Sequence, residues 1–73
     1  MAVDNFHREI ARRIVQAAKA KGLSANKLAD FAGVSRGQMN YIVRATRSPT
    51  VRTLRKIAAA LDMKTRDLIP SDE

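Results

Sequence analysis

Arg36, Gln38, Asn40, Tyr41 and Arg44 lie within one short stretch of a 73-residue chain, with no acid among them. Their hydrogen-bonding groups match the exposed edges of base pairs. A guanidinium can bridge O6 and N7 of guanine, and the amide of Gln or Asn can grip the N6/N7 edge of adenine. Gly37 stands between two of these side chains, at about 1 kcal/mol in helix propensity. Its lack of bulk suits close approach of the backbone to a ligand; the plainer alternative is a tolerated irregularity.

Rotation of about 100° per residue sorts a helix over this stretch into two sides. Met39 and Ile42 share the inward side, with Val43 at its edge. Gly37, Asn40, Tyr41 and Arg44 fall outward, and Arg36 and Gln38 flank them in the first turn. Tyr41 has the alternative of folding over the edge of the core. The expected base-reading set is therefore Arg36, Gly37, Gln38, Asn40 and Tyr41.

Charge supports a polyanionic partner. The formal net charge is +7, and residues 36–66 carry eight Lys/Arg against one acid. Residues 67–73 add three acids and no base, an acidic tip apart from the basic belt. Helix N-termini offer free amides to phosphate. The expected backbone-gripping set is Ser24, Asn26 and Lys27, Ser35, then Arg44, Arg47 and Arg52. Arg8, Arg12, Arg13, Lys19 and Lys21 read as a solvated face, and His7 as a surface helix residue.

Five helices are expected to position these groups in a compact all-α fold. Apolar residues recur at Phe6, Ile10, Ile14 and Ala17/Ala18, so a first helix begins near Asp4 or Asn5 and ends at Gly22. Ser24 caps a second helix through Phe31. Gly33 takes a positive φ, and Ser35 caps a third through Val43 or Arg44. Pro49 breaks the chain within a loop over 47–50. A fourth helix carries Leu54, Ile57, Ala58 and Leu61. Thr65 caps a final turn with Leu68 and Ile69, stopped by Pro70. Leu28, Met39, Ile42 and Leu54 are expected core residues that hold the angle between the second and third helices. One domain is expected over 1–73, with the two-helix unit at about 24–43.

Other chemistries find little material. There is no Cys and a single His, so neither a disulfide nor a zinc site is expected. Asp4, His7 and Glu9 near the start do not form a nucleophile–base set, and no enzyme and no cofactor are expected. No run of about twenty apolar residues suggests a signal peptide or membrane span, which makes the cytoplasm the expected location.

The order Gly22–Leu23–Ser24, Leu28–Ala29, Gly33–Val34–Ser35, Met39, Ile42, Pro49, Leu54 and Lys56–Ile57–Ala58–Ala59–Ala60–Leu61 resembles the helix-turn-helix family of lambda-type repressors and Cro proteins. That family includes small restriction–modification controller proteins, and the likeness covers about Ile14 to Leu68. It implies a lambda-repressor-like DNA-binding domain with its second helix over the DNA backbone and its third in the major groove. It also implies dimers that read two half-sites. By position, Arg36 and Gly37 match the family's leading base-contact sites, and Tyr41 a further one. The chain departs from the family's habit at Ala25 (often Gln), Val43 (often Glu) and Ala45 (often Gly), where docking and the end of the third helix are expected to differ.

The expected function is thus a regulator that binds a double-stranded DNA operator, acting as a repressor on a palindromic site. One recognition helix reads few base pairs, and mismatches of about 1–3 kcal/mol each cannot supply a unique address. A homodimer is therefore expected, with Met63, Leu68 and Ile69 at its interface. The alternative for Leu68 is that it closes the protomer's own core. A small-molecule inducer is not indicated. The competing reading is a protein-interaction or antitoxin-like adaptor module that keeps the fold; RNA binding is a third, with Tyr41 its only evident stacking group.

Overall fold

The computed structural model describes residues 5–70. Its helices are α1 (Asn5–Ala20), α2 (Ala25–Ala32), α3 (Arg36–Val43), α4 (Val51–Ala60) and α5 (Thr65–Leu68). The all-helical expectation holds for these residues, and the helix positions differ from the expected ones only at the ends. Asp4, one of the two expected caps of α1, lies outside the described residues, as do Asp72 and Glu73 of the acidic tip over 67–73.

Local signals start and stop these helices. The hydroxyls of Ser24, Ser35 and Thr50 accept from the amides of Lys27, Gln38 and Thr53, at 3.2, 3.0 and 3.1 Å. Each such cap stabilises its helix by about 1 kcal/mol. The ends of α1 to α4 are closed by reverse bonds from a residue just beyond the helix. Leu23, Val34, Thr46 and Met63 donate to the carbonyls of Ala18, Ala29, Tyr41 and Ala58. This closure requires a left-handed residue just before the donor. Gly22 and Gly33 supply it at φ 70° and 72°, but Ala45 and Asp62 supply it at 59° and 57°. The third helix therefore ends in the turn a glycine would make, contrary to the expectation from Ala45. The alanine bears about 1–2 kcal/mol of steric strain there.

α5 corrects a second expectation. Thr65 is its first residue, not its cap. Lys64 holds the capping position, and its amide donates to the Asp67 carboxylate at 3.2 Å.

Ile14, Leu28, Met39, Ile57, Leu61 and Leu68 are fully buried, joined by Ile10, Ala29, Val34, Ile42 and Leu54 in one core. Burial of each large aliphatic stabilises by about 1.5–3 kcal/mol relative to exposure. α2 packs on α3 and α4, α1 on α2, α3 and α5, and α4 on α5. Leu28 and Ala29 of α2 face Met39 and Ile42 of α3 through that core, with Gly33 turning the chain between them. Leu68 is 0% exposed. It closes the protomer's own core and presents nothing to a second copy, which corrects its assignment to a dimer interface. No helix of the described residues is long and apolar enough to cross a membrane.

Candidate nucleic-acid interface

With Met39 and Ile42 buried, α3 turns Arg36, Gly37, Gln38, Asn40 and Tyr41 to solvent. All five expected readers therefore lie on exposed surface. Ser35, Gly37, Gln38 and Tyr41 join Arg47, Ser48 and Pro49 around a cleft of about 450 Å³ between α3 and the loop into α4. Gly37 opens this cleft, and a Cβ added there would meet no atom within 4 Å.

Neighbouring elements hold several of these side chains. Arg36 donates from Nη2 to Asp30 Oδ2 at 2.9 Å and from Nε to Oδ1 at 3.3 Å, a two-point contact with α2. The guanidinium's hydrogen bond holds the Asp30 carboxyl below its usual range and raises Arg36 in turn. The outward face of α3 is free of acids in its own sequence, but the fold brings one beside its first reader. Gln38 Nε2 donates to Thr53 Oγ1 at 3.3 Å, and that hydroxyl also accepts from Thr50 at 3.0 Å. Tyr41 is 45% exposed, its ring under the Arg47 guanidinium at 4.6 Å. It is an outward residue, and the packing against Arg47 fixes both groups at the cleft.

The expected phosphate ligands spread over three elements. Ser24, Asn26 and Lys27 sit exposed at the start of α2, Arg44 at the end of α3, and Arg52 in the first turn of α4. The Ser24 and Ser35 oxygens are engaged as caps, which leaves their hydroxyl protons to donate. Ser24 borders a different groove, of about 290 Å³, lined also by Val15, Ala25, Leu28 and Val43. Two of the family departures, Ala25 and Val43, thus meet at one apolar surface. Arg44 lies beside Arg8 and Arg12 of α1. Arg12 and Arg13 both bind Glu9, whose pKa falls to about 2 through those hydrogen bonds.

Sequence reasoning missed Asp30, Thr53 and Phe31. Phe31 is 67% exposed, beside Lys21, Leu23 and Ala60. A helical wheel could have found it, since it points roughly 110° away from the stripe of Leu28, Ala29 and Ala32. Asp30 and Thr53 gave no such signal, because their partners lie six and fifteen residues away. Of the expected interface residues, Met63 and Ile69 are half-buried. Among the described residues, no cluster of His, Cys, Asp or Glu is placed to hold a metal ion.

The sequence matches the profile described as helix-turn-helix over residues 14–68. The chain belongs to the helix-turn-helix family of lambda-repressor and Cro type. Among its relatives, the HTH-type transcriptional regulator SutR of Escherichia coli K12 is 36% identical over 61 residues, covering 84% of this chain and 34% of that protein. The HTH-type transcriptional regulator SinR of Bacillus subtilis 168 is also 36% identical over 61 residues, covering 82% and 55%. The chain thus spans about a third to a half of these curated relatives. A structure of SinR in complex with DNA matches with TM-score 0.77 and 37% identity over 81% of this chain and 95% of that one. The restriction–modification controller protein C.AhdI of Aeromonas hydrophila matches with TM-score 0.82 and 30% identity, covering 86% and 96%. Both curated relatives are named as HTH-type transcriptional regulators.

Proposed function

We propose that this helix-turn-helix chain is a sequence-specific regulator of transcription that binds double-stranded DNA through α3. The observation that carries this reading is the exposed face of α3, where Arg36, Gln38, Asn40 and Tyr41 surround a glycine gap. The exposed cations Lys27, Arg44, Arg47 and Arg52 lie on the flanking elements. Arg36, Gln38, Asn40 and Tyr41 would read base edges, with Gly37 allowing the backbone near them. Ser24, Asn26, Lys27, Ser35, Arg44, Arg47 and Arg52 would grip phosphates. The relatives named as transcriptional regulators, and the SinR structure with DNA, support the same assignment.

In its finer form the proposal is a repressor that binds a palindromic operator as a homodimer. Two copies double the number of base pairs read, which one eight-residue helix cannot do alone. Met63 and Ile69 are the remaining candidates for that contact. Selection of tight-binding duplexes from a random pool tests the proposal. It predicts a two-fold symmetric site, bound in a salt-dependent way, with scrambled DNA left behind. Sedimentation with and without that duplex tests the dimer, and a monomer under both conditions would sink the symmetric model. Protein binding that persists when Arg36 and Gln38 are both replaced, with no selected DNA, would establish the adaptor reading instead.

A further inference from the structure

We propose that Asp30 is a positioning residue that aims the guanidinium of Arg36 at one guanine and so sets specificity. The inference rests on the DNA-binding function proposed above. Among the described acids, Glu9 binds Arg12 and Arg13 on its own helix, Asp62 binds Lys21, and Asp67 accepts from the Lys64 amide. Asp30 differs, because its partner is the first residue of the reading helix. Both members of the pair are exposed, at 61% and 53% of their side chains, so water screens the attraction and it adds little to folding. Toward a polyanion its charge is a liability at every sequence.

What the carboxylate supplies is direction. It takes one hydrogen from Nε and one from Nη2, the side-on edge of the guanidinium. Of the five N–H donors, the two on Nη1 and the second on Nη2 remain. Those on the facing sides of Nη1 and Nη2 form the end-on edge, the parallel pair that matches O6 and N7 of guanine. Because the group is planar, holding one edge aims the other. A guanidinium already held loses less rotamer freedom when it meets a base. The same carboxylate opposes a phosphate that an unbraced Arg36 would otherwise seize. Asp30 therefore lowers general affinity and raises discrimination, two effects that a merely structural residue would not separate.

The test uses the full chain, a duplex obtained by selection, that duplex with each base pair replaced in turn, and an unrelated duplex. Asp30→Ala, Asp30→Asn, Arg36→Ala and the Asp30→Ala/Arg36→Ala double variant are compared, with circular dichroism reporting the fold. Asp30→Ala is expected to bind the unrelated duplex at least as tightly as the parent does. Its preference for guanine at one half-site position falls roughly tenfold, the scale of a weakened bidentate contact, while preferences elsewhere stay. Asp30→Asn, which keeps one acceptor oxygen, falls between and serves if the alanine variant unfolds. Without Arg36, replacement of Asp30 changes nothing at that position. An unchanged guanine preference in Asp30→Ala, a uniform loss at all positions, or an effect that survives without Arg36 would overturn the assignment while DNA binding stands. A parent chain that prefers no duplex would overturn the DNA-binding reading itself, and the assignment with it.

Discussion

Gly37 and Gly33 allow the same substitution to be made twice with opposite expected outcomes. A Cβ at either position meets no atom within 4 Å, so neither glycine is required by crowding within the protein. Their backbones differ: Gly33 sits at φ 72°, and Gly37 is not among the positive-φ glycines. Alanine at 37 should therefore stabilise the fold by about 0.5–1 kcal/mol, because glycine in a helix is the poorer choice. Alanine at 33 must enter the left-handed region, at about 1–2 kcal/mol, partly offset by a stiffer unfolded chain. A net loss of about 1 kcal/mol remains. At roughly 4–8 °C per kcal/mol for a domain of this size, Tm rises by about 2–8 °C in Gly37→Ala and falls by about 4–8 °C in Gly33→Ala. Binding should run the other way. A methyl at 37 projects into the cleft between the readers and holds α3 off the base edges. Removal of one good base interaction, about 1–3 kcal/mol, weakens Kd roughly 5- to 150-fold. Gly33→Ala, measured well below its Tm, should leave Kd near the parent value. Thermal melts and anisotropy titrations with the selected duplex give both numbers. A Gly37→Ala variant that is more stable and binds DNA unchanged would refute the close-approach argument, and one that melts lower would refute the account of its backbone.

Replacement of Arg44 by Ala should weaken binding to all duplexes alike and reduce the slope of log K against log salt by about 0.9 for each phosphate no longer neutralised, whereas Arg47→Ala should reduce the slope and also release Tyr41, which packs under it. A change in sequence preference from Arg44→Ala would move that residue from phosphate to base. Glu9 gives a pH prediction. Its hydrogen bonds from Arg12 and Arg13 lower its pKa from 4.5 to about 2, so folding is favoured wherever the carboxylate is charged in both states. The contribution is complete above pH 4.5 and disappears as pH falls through 2. The Tm difference between the parent and Glu9→Gln should accordingly be present at neutral pH and close across that acid window; a difference independent of pH would contradict the linkage.

The parts of the fold legible in the sequence were those written in local chemistry. Ser24 and Ser35 announced helix starts because a hydroxyl caps an amide three residues on, and Met39 and Ile42 announced a buried side by spacing alone. Ala45 was opaque for the opposite reason. Its left-handed conformation is imposed by the closure of α3 around Thr46 and Tyr41, against its own preference. Thr65 misled because a hydroxyl at a helix start resembles a cap, while the bond that caps α5 is donated by the Lys64 amide to the Asp67 carboxylate. Leu68 could be placed either inside or outside by periodicity; only the packing of α5 on α1 and α4 put it in the core. On the candidate interface, outward directions were legible but side-chain partners were not, since Asp30 and Thr53 reach α3 through tertiary contacts.

Those contacts bear on how so short a helix can hold a reading surface at all. α3 has eight residues, fewer than an isolated helix needs to persist in water. Its conformation depends on Met39 and Ile42 in the core, and two of its outward side chains are tethered to the helices on either side. Asp30 holds Arg36 from α2, and Thr53, itself bonded to Thr50, holds Gln38 from the first turn of α4. The Gln38 tether occupies only one of its two amide hydrogens. The other hydrogen and the carbonyl oxygen are left unused by the tether. The tethers thus restrict orientation without consuming the recognition groups, and between them lies Gly37, where the backbone itself is uncovered. Under the proposed function, specificity would be a property of three helices: α3 presents the groups, while α2 and α4 restrict the orientations that Arg36 and Gln38 sample before a base pair arrives.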